Sequence, residues 1–325
     1  MRPPEFWNHD GITAALLSPL GMLYGWSVRT RQARARPFRP NARVLCVGNL
    51  TAGGSGKTPI AIALGHALAA RGLSVAFLSR GYSGRMAGPV QVEPARHSAR
   101  DIGDEPLLLA RHGKTVVAHD RAAGARLADS LGADVIVMDD GFQNFQIEKD
   151  LSLVVIDAAA GFSNGHLIPA GPLREPARQG LTRADAIVMV GDGDPALPPF
   201  SGPVLRATIV PGAPEALRGR RVHAFAGIGR PQKFFDMLRL LGADITATQP
   251  FPDHHRFTPT EVSMLKQAAE KSGALLVTTE KDFVRLDPSA RQNVVAVPVH
   301  AVFADQAALK PLLDRIAGAG KVSDT

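Results

Sequence analysis

The chain has 325 residues, 45% hydrophobic and 21% charged, which suffices for a packed core and excludes wholesale disorder. A formal net charge of +7 suits an anionic partner, whereas an aromatic content of 6% disfavours a base-stacking nucleic-acid platform. The one cysteine, Cys46, cannot form an internal disulfide, fits a reducing compartment, and reads as core within Val44-Leu45-Cys46-Val47.

From Gly11 to Val28 eighteen residues pass without a charge, the lower limit of a membrane span. Pro19 and glycines 11, 21 and 25 weaken a straight spanning helix, and no signal-peptide cleavage pattern is present. Trp7, Tyr24 and Trp26 flank the stretch as interfacial aromatics do. Residues 1–43 carry seven arginines against Glu5 and Asp10, a net +5. Residues 1–40 therefore read as an anchor lying in one leaflet of an anionic membrane, with a helical hairpin packed on the protein's own core as the alternative.

After this segment, buried-strand runs alternate with helical patterns. The expected strands are Arg43–Gly48, Ser74–Ser79, Thr115–His119, Asp134–Met138, Ser152–Asp157 and Ala186–Val190, with helices at Lys57–Arg71, Glu105–Arg111 and Arg121–Leu131. Continuous Val/Ile runs separated by helices predict an α/β fold with a parallel sheet covered on both faces. Prolines and glycines between 192 and 220 predict an irregular connection and place a domain boundary near 215. The expected units are 1–40, 41–215 and a smaller α/β unit, 216–325. The latter's strands are expected at Val222–Ala226, Ile245–Gln249, Ala274–Thr278 and Val294–Val299, and its clearest helix opens with the capping box Thr258-Pro-Thr-Glu261.

The chemistry concentrates at strand ends. The loop Thr51-Ala52-Gly53-Gly54-Ser55-Gly56-Lys57-Thr58 joins the first strand to the first helix of the core. Its glycines let backbone amides curl around a phosphate, and the helix N-terminus adds positive potential there. Lys57 can reach the β- and γ-phosphates and the Thr58 hydroxyl can ligate Mg²⁺. Thr51 stands where the strict motif has glycine, and Ala52 where the deviant form has lysine. This is a P-loop NTPase-like core expected to bind ATP and Mg²⁺. Asp139 and Asp140 end an apolar strand at the ligand edge, where carboxylates hold Mg²⁺ directly or through water. Asp104 reads either as a helix N-cap or as a base for a substrate hydroxyl. Pro169–Pro176 is a rigid loop presenting Arg174 and Glu175, or an ordinary proline-rich connection. In Phe251-Pro-Asp-His254-His255-Arg-Phe257 a shared zinc is disfavoured, and one imidazole acting on a nearby acid fits better. Thr278-Thr-Glu-Lys-Asp282 reads as a surface turn.

In order, the chain shows Phe6-Trp7 before the apolar helix, Gly48-Asn-Leu-Thr-Ala-Gly-Gly-Ser-Gly-Lys-Thr-Pro59, Ser79-Arg-Gly-Tyr82, Gly103-Asp-Glu-Pro106, Asp139-Asp-Gly-Phe-Gln143, Pro169–Pro176, Phe251–His255 and Thr279-Glu-Lys-Asp282. That series resembles the tetraacyldisaccharide 4′-kinase family over about residues 6–286. The resemblance implies an ATP-dependent transferase acting on the 4′-hydroxyl of an acylated disaccharide 1-phosphate lipid in lipid A biosynthesis. It also implies a peripheral or monotopic enzyme on the cytoplasmic face of the bacterial inner membrane. By the same resemblance Lys57 and Thr58 contact phosphate and Mg²⁺, Asp139 and Asp140 are metal-associated acids, and Asp104 paired with His254 is the base. Glu175 is a further site acid, and Arg80, Arg121, Gln143 and Arg174 are substrate or phosphate contacts. A monomer without nucleic acid is expected. The family commonly reads Gln-His-Arg-Arg after Asp-Asp-Gly-Phe, where this chain has Gln143-Asn-Phe-Gln146. The rival reading is a deviant P-loop ATPase serving as a metal or cluster chaperone, against which stand Ala52 and the lack of a cysteine pair. A nucleic-acid-dependent ATPase is disfavoured by the scarcity of aromatics among the arginines.

Overall fold

A computed structural model describes residues 4–212 and 214–318; Arg2 of the basic segment, Ala213 and the last seven residues of the expected C-terminal unit lie outside them. Among the described residues thirteen strands form two sheets. The larger is built from β1 (Arg43–Gly48), β2 (Val75–Ser79), β3 (Val90–Gln91), β4 (Lys114–Val117), β5 (Val135–Asp139), β6 (Leu151–Asp157), β7 (Ala186–Val190), β8 (Val204–Pro211) and, after the smaller sheet, β13 (Val299–Phe303). Their order is β13-β8-β7-β6-β1-β5-β2-β4-β3, parallel except for the edge strands β13 and β3. The smaller sheet is parallel throughout, in the order β10-β9-β11-β12, from β9 (Arg221–Ala226), β10 (Asp244–Pro250), β11 (Leu275–Thr279) and β12 (Val294–Val297).

The unbroken apolar runs follow from burial on both faces. Leu45 and Val47 of β1 pack with Ile60, Leu64 and Leu68 of the helix Lys57–Ala69 on one face. Val44 and Cys46 point the other way, toward Ala125, Ala128, Leu181 and Phe142. The smaller sheet repeats the pattern, with Ala224 facing Phe234 and Leu238, and Phe225 facing Phe257 and Leu265.

Four expectations change. The segment read as irregular contains β8, which alternation on the Leu205–Ala207 side hides because its other residues are half-exposed or exposed. The run Val294–Val299 splits at Pro298: β12 stays in the smaller sheet, while β13 returns to pair with β8 of the larger one. The helix Gln306–Ala317 then packs Leu309, Leu312, Leu313 and Ile316 into the large core, so residues 299–317 belong there and not with the smaller unit. The Thr-Glu-Lys-Asp run is a helix, Glu280–Arg285, capped by the Thr279 side chain accepting from the Asp282 amide.

The N-terminal helix Ile12–Arg34 rests on the loop before β7. Gly21 and Gly25 make the close approach possible, since a Cβ on Gly25 would stand 2.6 Å from Leu167. Trp7 donates to the Pro169 carbonyl at 3.0 Å. On the outward side Ile12, Leu16, Leu20, Leu23 and Trp26 are exposed, Ile12 by 82%. No helix among the described residues is long and apolar enough to cross a membrane.

Candidate active site

Parallel pairing aligns Val47 of β1 with Asp139 of β5, so the loop after β1 and the acids ending β5 meet at one sheet edge. Gly53 (φ 118°) and Gly56 (φ 83°) take left-handed backbone that other residues rarely adopt. The loop is not free along its whole length. Ala52, expected in the phosphate cradle, donates its amide to the Pro172 carbonyl at 2.7 Å, and Thr51 bridges Leu173. No backbone carbonyl among the described residues takes the amides of Gly53, Gly54, Ser55 or Gly56, which leaves these at the helix N-terminus for an anion. Buried Asn49 braces the turn, donating to Ser55 Oγ at 3.2 Å.

At this edge Thr58 Oγ1 donates to Asp139 Oδ2 at 3.0 Å, while Asp139 Oδ1 is buried without a partner. Burial and the adjacent Asp140 push the Asp139 carboxyl up to about 6. Asp140 goes the other way: burial opposes its charge, but Lys57 at 3.8 Å and Arg174 at 2.8 and 3.2 Å hold it down at about 2. Asp140 adopts a left-handed backbone (φ 56°), which aims it at these cations. Burial lowers the Lys57 ammonium and the Asp140 charge counters it. An unpartnered carboxylate oxygen beside a threonine hydroxyl is a donor set that fits Mg²⁺. Asp139 offers that oxygen directly, whereas both oxygens of Asp140 are engaged by Arg174.

A second acidic pair, Asp104 and Glu105, faces the smaller unit. Arg285 donates through Nε (2.9 Å) and Nη2 to Asp104 Oδ2, and His254 Nδ1 lies 3.3 Å from the same oxygen. Glu105 accepts from Lys281 at 2.6 Å. Burial raises Asp104, but the His254 bond and the Arg285 charge outweigh it and hold the carboxyl well below the usual range. The bond to Asp104 in turn raises His254, with burial opposing. Asp104, Glu105 and His254 could in principle converge on a metal, yet Arg285 and Lys281 already neutralise the two acids.

The sequence model of the family described as Tetraacyldisaccharide-1-P 4′-kinase matches residues 13–317. The chain belongs to that family. It is 50% identical to the tetraacyldisaccharide 4′-kinase of Paramagnetospirillum magneticum over 321 residues, covering 97% of this chain and 99% of that one. To a protein of the same name from Methylorubrum extorquens it is 51% identical over 323 residues, covering 96% and 98%. Its structure resembles the crystal structure of the "apo" form of Aquifex aeolicus LpxK in complex with ATP, with a TM-score of 0.77 and 29% identity, covering 94% of this chain and all of that one.

Within this member of the tetraacyldisaccharide 4′-kinase family, the remaining sequence candidates divide. Arg121 is buried, donates to the Ala118 carbonyl and keeps an unpartnered Nε. Burial and the neighbouring Arg80 lower it to about 10, and the charges of Asp140 and Asp139 also reach it, so Arg80 and Arg121 form a cationic edge beside the acids. Glu175 and Gln143 point inward instead: buried Glu175 accepts from Arg183 at 2.7 and 2.8 Å and from Gln143 at 3.0 Å. Gln143 in turn accepts from Arg174 at 3.3 Å, so these residues brace Asp140 from behind. Where the family is commonly basic, Gln146 Oε1 accepts the Arg121 amide at 3.0 Å, and Arg183 and Lys149 lie 5.5 and 5.9 Å from the Phe145 ring. Sequence reasoning missed Arg285, Lys281 and Arg183. Lys281 lies inside the Thr279–Asp282 run read as a surface turn, and the signal for Arg285 was its spacing of four from Lys281 on what proves to be a capped helix.

Proposed function

We propose that the protein transfers the γ-phosphate of ATP to the 4′-hydroxyl of a tetraacylated glucosamine disaccharide 1-phosphate. The observation that carries the reading is the meeting of the open phosphate loop, Lys57 and the Thr58–Asp139 pair at one sheet edge, in a chain that belongs to this kinase family. Phosphoryl transfer needs chiefly positioning and charge neutralisation, which these groups supply. The amides of Gly53 to Gly56 and the Lys57 ammonium receive the triphosphate. Thr58 and Asp139 would hold Mg²⁺, with Asp140 beside them, and when bound it would supply neutralisation of charge developing on the phosphate oxygens. Asp104 receives the proton of the acceptor hydroxyl as its oxygen bonds to the γ-phosphorus and the bond to ADP breaks. His254 holds Asp104 in place. Arg80 and Arg121 favour an acceptor that is already phosphorylated.

The outward apolar stripe of the N-terminal helix supports an enzyme lying on a lipid surface with the acyl chains of its substrate in the bilayer; the family places that surface, in our reading, at the cytoplasmic face of the inner membrane, with the enzyme a monomer. Arg29, Arg31, Arg34 and Arg36 make no ion pair among the described residues, whereas Arg39 and Arg43 are paired. Each unpaired arginine would add about 1 kcal/mol of attraction to anionic headgroups.

The test is transfer of label from γ-labelled ATP to the acyl disaccharide 1-phosphate in mixed vesicles. Label in the lipid extract is expected, with no stimulation by nucleic acid. ADP formation without labelled lipid would overturn the reading and favour a partner-regulated ATPase. Replacing Leu16 and Leu20 by Asp should release the protein from anionic vesicles while ATP binding persists.

A further inference from the structure

We propose that Arg285 is a positioning residue for the acceptor site: it gathers the hydrogen bonds of Asp104 onto one carboxylate oxygen and leaves the other, Oδ1, to take the hydroxyl proton. This rests on the reading of Asp104 as the base.

Arg285 Nε and Nη2 and the His254 imidazole all converge on Asp104 Oδ2. Asp104 Oδ1 is buried and no nitrogen donor reaches it; the carboxyl beside Asp104 is Glu105, which burial and the Asp104 charge raise. A buried carboxylate oxygen left without a donor is costly unless a ligand group completes it. The cleft lined by Arg100, Asp104, His254, Arg256 and Arg285 lies beside this carboxyl, at the junction of the two units.

The guanidinium is itself fixed. Its Nη1 donates to the Gly227 carbonyl at 2.7 Å and to Asp282 Oδ1 at 2.8 Å. Asp282 is held in turn by Thr279 Oγ1 at 2.7 Å and the Gly227 amide at 3.1 Å. The side chain of Arg285 is only 5% exposed, so it cannot swing aside without breaking this set. A planar guanidinium places two donors on one acceptor in a way an ammonium cannot. Since Asp104 belongs to the large unit and Arg285 to the small one, the base acquires its geometry only when the two are docked.

The charged groups around Asp104 are Arg285, Lys281 and Asp282 on the capped helix, Glu105 on its own helix, His254 and Asp253 on the loop after β10, and Arg100 and Arg256 at the cleft. Arg285 is the nearest cation, so its loss makes the Asp104 carboxylate harder to form. Base function is lost as pH falls through the carboxyl's titration, hence the acid limb of turnover moves to higher pH.

Arg285→Met and Arg285→Lys are compared with the wild type in vesicles, reading kcat against pH, KM for ATP and affinity for a fluorescent ATP analogue. In Arg285→Met, kcat falls roughly 30-fold or more, as for loss of a positioned base. Its acid limb rises by about one pH unit or more, as removal of a paired cation requires, while nucleotide affinity is kept; Arg285→Lys recovers part of both. A drop in kcat with an unmoved limb and a lowered melting temperature would make Arg285 merely structural. Should Arg285→Met not fold, the ¹³Cγ titration of Asp104, assigned by its loss in Asp104→Asn, decides between the wild type and Arg285→Lys. An identical midpoint in the two overturns the proposal. Full activity of Asp104→Asn would instead remove Asp104 as base, and Arg285's role with it.

Discussion

The two acidic pairs of this enzyme use the same parts in different ways. Asp139 and Asp140 face Lys57 and Arg174; Asp104 and Glu105 face Lys281 and Arg285. In each, one carboxyl is held down by its partners, Asp140 by Lys57 and Arg174 and Asp104 by His254 and Arg285, and the other is raised by burial. The first pair is built from loops of one sheet edge and braced from behind by Gln143 and Glu175. The second exists only across the contact between two units. Local construction suits the proposed nucleotide site, whereas split construction would tie the proposed acceptor site to the docking of the smaller unit.

Removing the brace should break the first pair most severely. Glu175→Ala leaves the Arg183 guanidinium buried without its counter-ion and should cost roughly 3–5 kcal/mol of stability, read by denaturant unfolding. A loss of turnover at unchanged stability would move Glu175 from the brace to the chemistry. Lys57→Ala should cut turnover by roughly 2–4 kcal/mol of transition-state stabilisation, measured as kcat with the lipid acceptor, and a fully active variant would dissolve the nucleotide assignment.

The contrast sharpens with pH. Asp139, pushed up to about 6, is neutral below that value and cannot then hold a cation. Mg²⁺-dependent ATP affinity should therefore weaken as pH falls below about 6, by up to tenfold per pH unit. Asp139→Asn should remove this limb along with most of the Mg²⁺ dependence. The smallest effect concerns the contact between units. Arg230 and Lys233 reach Asp157 at 2.7 and 3.0 Å but are half-exposed or more. Asp157→Asn should thus change stability by only about 0.2–1 kcal/mol, and a larger loss would show that these pairs do more than trim the interface.

Much of the large unit was legible in the sequence because β1, β5, β6 and β7 are nearly continuous apolar runs rich in Val, Ile and Leu, and the phosphate loop falls where such a strand meets a helix. The pairing of Thr58 with Asp139 follows from that order. Other features were not legible because their causes are distant in the chain. Arg285 meets Asp104 across 181 residues, so no local pattern joins them. Glu175 reads as a site acid from its motif, and only packing turns it toward Arg183. The split at Pro298 is invisible because Val294–Phe303 has strand character on both sides of the proline, whose missing amide lets the chain change sheets.

That change of sheets has a mechanical consequence. The chain leaves the large sheet after β8 and re-enters it at β13, and the two strands lie side by side, with the Gly212 amide bonded to the Pro298 carbonyl at 2.8 Å. The smaller unit hangs from a double strap at a single edge. Both covalent connections of the smaller unit thus leave from one edge, and its other ties to the large unit are side-chain contacts, among them Arg285 with Asp104 and Arg230 with Asp157.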